Sequence, residues 1–265
     1  MLNLIKYEFF RRRKMLITSL MIFAFLEFGI WLGITLGGGW NVMAVLFFII
    51  LVVGGSLFPF VDAVVNYYTD FKSRNGYMLY LTPNSGYKIL GSKMIFVMGE
   101  ILLMGALVIG AICLNYTLLE QKAPEAVAMV SQQLNEPIRL LLNTDKLTFW
   151  NMSPFLLATF IQYVGEVSLA LFSITIAKTL LSSKDFNWLL ALVFYFVIYM
   201  AVQTVSLGLI AAFGFAKDMI AMTAEQSNEL PQIKKYIMVA MSTYIAVIAA
   251  AFLISGRLIT KRTDL

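Results

Sequence analysis

The sequence predicts an all-α polytopic membrane protein with six transmembrane helices and both termini cytoplasmic. Three observations carry that expectation. Of 265 residues, 60% are hydrophobic and 13% charged, whereas a soluble chain is nearer half apolar and a quarter charged. The apolar residues fall in continuous blocks of about 20, the length an α-helix needs to cross a bilayer; the strands of a barrel would alternate instead. Lys and Arg collect at the edges of alternate blocks, where flanking cations orient a membrane chain.

Residues 1–14 place Leu2, Ile5 and Phe9 at helical spacing, with Lys6, Arg12 and Arg13 turned elsewhere. This is the pattern of an interfacial helix whose basic side faces anionic headgroups. The run Arg11 to Lys14 serves equally as a positive-inside anchor or as part of a docking surface. A first span is expected at Leu16–Leu36, too long for the apolar region of a signal peptide and followed by no small-residue cleavage site. Gly37-Gly38-Gly39-Trp40-Asn41 reads as a tight turn with an interfacial Trp. A second span, Val42–Val65, holds Pro59 near its end, where a kink is expected. After a basic loop over 66–94 come a third span (Ile95–Tyr116), a polar segment (118–150) and a fourth span (Pro154–Ala177). A short link with Lys178 and Lys184 leads to a fifth span (Trp188–Phe213), a second polar segment (217–235) and a sixth span (Ile237–Gly256). No internal repeat or soluble domain interrupts them, so 1–265 reads as a single transmembrane domain.

Alternate segments hold 14 and 6 of the Lys and Arg residues, which puts the termini and the 66–94 loop inside and 118–150 and 217–235 outside. From Pro124, apolar Val127, Val130, Leu134, Ile138 and Leu141 recur at helical steps. The resulting amphipathic helix could lie on the outer leaflet, cap a pathway or contact a partner; a loop packed on the membrane surface explains it as well.

The net charge of +5 invites a nucleic-acid reading, but the basic residues are scattered along span edges. Cys113 is the single cysteine and there is no histidine. Zinc chemistry and histidine-paired nucleophiles lose their usual side chains, so no metal site is expected and an intramembrane enzyme is disfavoured. Four acidic residues lie within or beside spans: Glu27, Asp62, Glu100 and Glu166. A carboxylate at membrane depth is a functional candidate by default. Asp62 and Glu100, near the inner edge, suit structural pairing or solvation. Glu27 and Glu166 sit mid-span with no Lys or Arg at their level, so they need hydroxyl or amide partners or a proton. They line a polar cavity or bond a neighbouring helix. Aromatic residues concentrate in the second and fifth spans, with Phe47 and Phe48, then Tyr195 and Tyr199, as candidates for a pathway; lipid-facing packing is the competing explanation.

No nucleotide-binding or metalloprotease motif is present, so the chain is expected to be non-catalytic. Within 66–94, Asn75-Gly76 is a turn signal, Tyr77 to Leu81 a short amphipathic piece and Thr82 to Gly86 a second break. Tyr87 to Lys93 opens the next helix. This helix-break-helix elbow suits insertion into a cleft on a soluble subunit.

The run Asn75 to Ser85 (NGYMLYLTPNS) with Lys88 to Lys93 (KILGSK) resembles the cytoplasmic loop of type-two ATP-binding-cassette (ABC) exporter permeases. Leu4-Ile5-Lys6-Tyr7-Glu8, with Arg11 to Arg13, is similar to that family's N-terminal connecting helix. The resemblance implies a permease in a bacterial cell membrane that pairs with a second permease copy and docks a separate cytoplasmic ATPase, which alone carries ATP and magnesium. Tyr77, Tyr80, Thr82, Pro83, Ser85 and Lys88 of a coupling helix, with Tyr7, Glu8, Arg11 and Arg12, would form the docking surface. Spans two and five would line the pathway, and the segment before span six would form an outer lid. The segment of about 33 residues after span three is longer than the family pattern. Small permeases of this kind look most like exporters of amphipathic peptides, including lantibiotics and phenol-soluble modulins. A different class, an ion- or proton-coupled carrier using Glu27 and Glu166, would need no ATPase.

Overall fold

The computed structural model describes residues 2–72, 85–122, 149–180, 188–212 and 230–262. Within them every regular element is an α-helix: α1 (Leu2–Leu36), α2 (Trp40–Lys72), α3 (Gly86–Lys122), α4 (Phe149–Leu180), α5 (Trp188–Ala212) and α6 (Leu230–Arg262). All six are long and apolar enough to cross a membrane, which is the helical membrane architecture the sequence predicts. At about 1.5 Å per residue, the 37 residues of α3 extend ~55 Å, well past a hydrocarbon core of ~30 Å. Large apolar side chains such as Phe25, Leu57, Leu102, Val197 and Met200 are exposed along these helices. Contiguous apolar surface of this kind is unfavourable in water and is satisfied by lipid.

The chain divides into two compact units. The first comprises Met1–Ala63 and Ser92–Asn135, hence α1, most of α2 and most of α3. Here α1 is one unbroken helix and not an interfacial helix followed by a separate span. No Gly or Pro precedes Gly29, so nothing weakens the ladder at Lys14–Met15, and the Thr18 hydroxyl donates back to the Lys14 carbonyl at 2.9 Å. The α1–α2 connection is the tight turn expected. Gly37 and Gly38 take φ of 67° and 60°, a region a Cβ disfavours. The Trp40 and Asn41 N–H groups donate to the Gly37 and Gly38 carbonyls at 3.2 Å. Ile30, Ala44, Leu51 and Ala111 form the buried centre of this unit, with Phe23, Leu26, Phe47 and Phe48 packed on it. The helix α2 continues through Pro59, which is buried.

The second unit comprises Val64–Gly91 and Glu136–Leu265: the end of α2, the start of α3, and α4 to α6. Helix α4 packs against α5 and α6, which also touch each other. The end of α2 is tied down by a 2.8 Å hydrogen bond between the Tyr67 and Thr175 hydroxyls. Phe71 packs against Ile89 and Ile259. Helix α3 starts at Ser85, whose carbonyl accepts from the Lys88 and Ile89 N–H groups at 2.9 and 3.3 Å. It then lies directly against α6, for a Cβ on Gly86 would stand 2.8 Å from the Gly256 carbonyl oxygen.

Helices therefore take up both flanks of the loop expected over 66–94, and 73–85 separates them. Helix α6 likewise begins at Leu230, inside the polar segment expected over 217–235. Tyr77, Tyr80, Thr82 and Pro83, the amphipathic stretch from Pro124 and most of both outer segments lie outside the described residues.

Candidate functional site

Each unit carries a polar cluster on otherwise apolar helices. In the first unit the cluster is ionic and buried. Nearly two turns after the start of α1, Glu8 points inward; its Oε1 accepts from Lys93 Nζ of α3 at 2.7 Å. One helical turn further, Arg12 Nη1 donates to Asp62 Oδ2 of α2 at 2.8 Å. The Arg12 Nε stands 3.3 Å from Glu8 Oε2, and Arg11 Nη2 reaches the same oxygen at 3.4 Å. The Arg12 guanidinium also lies over the Phe96 ring, 5.0 Å from its centroid. Glu100 is buried beside Asp62 and Arg12. Glu8, Arg12, Asp62 and Lys93 are each 3% exposed or less, so these charges are held by one another and not by water.

Such a network is demanding: each desolvated ion costs several kcal/mol unless its partner is in place. Its members come from three helices, so it specifies how α1, α2 and α3 meet. The pairing expected for Asp62 is present, with Arg12 as its partner. The four N-terminal docking candidates separate by helix face. Tyr7 is exposed and Arg11 partly so, whereas Glu8 and Arg12 turn their charges inward. Ser85 and Lys88 are exposed at the start of α3.

Deeper in the same unit, Glu27 obtains the amide partner that a lone mid-span carboxylate requires. Asn115 Nδ2 donates to its two oxygens at 3.1 and 3.2 Å, and to the Ala111 carbonyl at 2.9 Å. Phe47 and Phe48 belong to the apolar packing of this unit; the Phe47 ring lies where a Cβ on Gly29 would be, 2.5 Å away.

In the second unit the cluster is acidic and aromatic. Glu166 stands midway along the Ser153–Thr179 span of α4. Gln162, one turn before it, donates Nε2 to Glu166 Oε1 at 3.2 Å. Tyr195 and Tyr199 occupy successive turns of α5 with rings stacked 5.9 Å apart, and Gln203, a further turn along, donates to the Tyr244 hydroxyl of α6 at 3.0 Å. Tyr195 and Tyr244 are close enough to Glu166 for its charge to act on both phenols. Gly165 makes the α4–α6 approach possible, since a Cβ there would stand 2.5 Å from Tyr244 Cδ1. The structure thus brings together three residues the sequence singles out separately: Glu166, Tyr195 and Tyr199. It adds Gln162, Gln203 and Tyr244. Gln162 and Gln203 carry a signal in the sequence, since they follow the four-residue steps of 162/166 and 195/199/203. Tyr244 and Asn115 carry none, because their partners are far away in the chain.

A carboxylate at the centre of a span costs ~2.5–3.5 kcal/mol on insertion scales, and neither α4 before Lys178 nor any part of α5 contains a Lys or Arg. Chemically, then, the second cluster offers amide and phenol hydrogen-bond donors and acceptors, one carboxylate and ring faces. Among the described residues no group of His, Cys, Asp and Glu has the makings of a metal site. The chain matches no protein-family model, no curated protein and no solved structure.

Proposed function

We propose that this chain is the transmembrane subunit of an ATP-driven ABC exporter, a non-catalytic permease that moves an amphipathic or hydrophobic substrate, such as a peptide, out of a bacterial cell. Both termini and the elbow between α2 and α3 face the cytoplasm. A separate ATPase docks on that elbow, and a second permease copy completes the pathway. Six membrane-length helices support a permease, and the motif resemblance of residues 75–93 supports the ATPase partner. The observation that carries the reading is how the elbow is mounted. The helix ends on either side of it are keyed into the second unit, Tyr67 to Thr175 of α4 and Gly86 and Tyr87 to Gly256 and Leu253 of α6. A push on residues 73–85 is then delivered to α4 and α6, because close-packed contacts transmit displacement and do not absorb it.

The test is purification with an ATPase from the source cell. Substitution at Tyr80, Pro83 or Lys88 is expected to leave the ATPase's basal hydrolysis intact while lowering substrate-stimulated hydrolysis about tenfold, equivalent to ~1.4 kcal/mol of coupling. Unchanged stimulation after replacing the whole of 76–85 refutes the docking role. Gradient-driven uptake or efflux without any ATPase would favour the ion-coupled carrier.

A further inference from the structure

The α4–α5–α6 cluster has a composition that the transport reading does not by itself require. Glu166 is the one side chain in it that can carry a formal charge near neutral pH, and that charge is negative; its contact is the Gln162 amide, which is uncharged. On the helices packed against α4 are the stacked rings of Tyr195 and Tyr199 and the buried Tyr244, whose phenol is anchored by Gln203 and whose ring lies beside Gly165, the neighbour of Glu166. Aromatic faces carry negative potential, and a carboxylate flanked by them attracts a poorly hydrated organic cation. Glu166 is half-buried, and Tyr244 is buried against the α4 backbone at Gly165. An anion or a zwitterion would need a cationic partner at the same depth. Between Phe149 and Ala177, Trp188 and Ala212, and Tyr236 and Ser255 there is no Lys or Arg to supply one.

We propose that Glu166, Tyr195, Tyr199 and Tyr244 form a binding site for an organic cation, an ammonium or guanidinium group on an apolar body. The site names a substrate class for the permease and in that sense rests on the transport reading. Glu166 pairs with the cationic head, and the tyrosine rings of α5 and α6 flank it. Gln162 and Gln203 hold the carboxylate and the Tyr244 phenol in place and are positioning residues.

Binding is measured by calorimetry on the purified chain alone in dodecyl maltoside, without ATPase or nucleotide, so the result stands apart from the docking experiment. The probes are choline and its neutral isostere 3,3-dimethylbutan-1-ol. Choline is expected to bind and the isostere is not. Glu166→Gln, which keeps shape and removes a membrane-buried charge, is expected to weaken choline about tenfold or more. Tyr195→Leu is expected to weaken it several-fold and Tyr195→Phe to recover most of that loss, because the ring and not the hydroxyl faces the cation. Glu120→Gln, on α3, is the control for loss of a carboxylate elsewhere and is expected to bind choline as the parent does. Equal binding of the isostere, no binding of choline, or an unaltered Glu166→Gln variant overturns the site. Displacement of choline by dodecylphosphocholine as readily as by dodecyltrimethylammonium also overturns it, since it would assign the cluster to a zwitterionic lipid headgroup.

Discussion

Lys93 sits one residue from Ser92 in a stretch of α3 that is buried almost completely, and its charge is tolerable there only because Glu8 meets it at 2.7 Å. Removing one member of a buried pair strands the other, at a cost of ~3–5 kcal/mol, whereas replacing both by uncharged residues of similar size is far milder. Lys93→Met is therefore expected to lower the unfolding midpoint sharply, and the double variant Glu8→Gln/Lys93→Met to recover most of the loss; both are read by thermal unfolding in detergent. Equal midpoints for the single and double variants would show that Glu8 is not stranded when Lys93 is removed. Arg12 is less replaceable still, because it joins Asp62, approaches Glu8 and covers the Phe96 ring. A lysine cannot do all three. Individual charges of this network were legible in the sequence as intramembrane or edge residues, but Glu8 and Arg12 also read as surface groups. Helical spacing gives their relative faces; only the presence of Asp62 and Lys93 opposite tells which face is inside.

Helix ends matter as much as helix middles here. The start of α3 and the end of α6 meet through two glycines, with Tyr87 packed near Phe252 at 6.0 Å between ring centroids and its hydroxyl 3.4 Å from the Leu253 carbonyl. A side chain on Gly86 has nowhere to go, since its Cβ would stand 2.9 Å from the Cβ of Ile259. Gly86→Val is expected to cost ~1–3 kcal/mol through overpacking and to weaken the transmission of ATPase events to α6. Gly99→Ala provides the contrast: its Cβ would meet nothing within 4 Å, so the same helix is expected to gain ~0.5–1 kcal/mol from a better helix former. Unfolding midpoints of the two variants check both signs. The apolar middles of all six helices were visible from length alone, but their ends were not. Tyr67–Lys72 contains enough polar residues to read as loop, and it is helical because Thr175 and Ile259 give it something to pack on, whereas the helix expected to open over Tyr87–Lys93 is present. The continuity of α1 was missed for the opposite reason. The basic run Arg11 to Lys14 marks where polarity changes, which is a different matter from where a backbone bends.

At the scale of the molecule, the orientation proposed for the chain places Ser73 in the cytoplasm. With Cys113→Ala as background, Ser73→Cys is expected to resist a membrane-impermeant maleimide in intact cells and to react once they are permeabilised. Labelling in intact cells would reverse the orientation and remove the ATPase from reach of the elbow. Within the second unit α4, α5 and α6 pack side by side, so that Glu166, Tyr195 and Tyr244, 29 to 78 positions apart in the chain, come near one another.

Composition and the length of the apolar blocks by themselves determined that this chain is a helical membrane protein with six helices able to span, because a buried backbone in lipid must satisfy its own hydrogen bonds and a helix does so residue by residue. Which residues serve as partners to the carboxylates was settled only by the tertiary structure. Depth separates Asp62 and Glu166 in the sequence, the first near the inner edge and suited to pairing, the second mid-span and in need of an amide, a hydroxyl or a proton. Asp62 finds Arg12 of another helix, and Glu166 finds an amide and tyrosines. Partners at such separations are a consequence of packing, and no local pattern contains them.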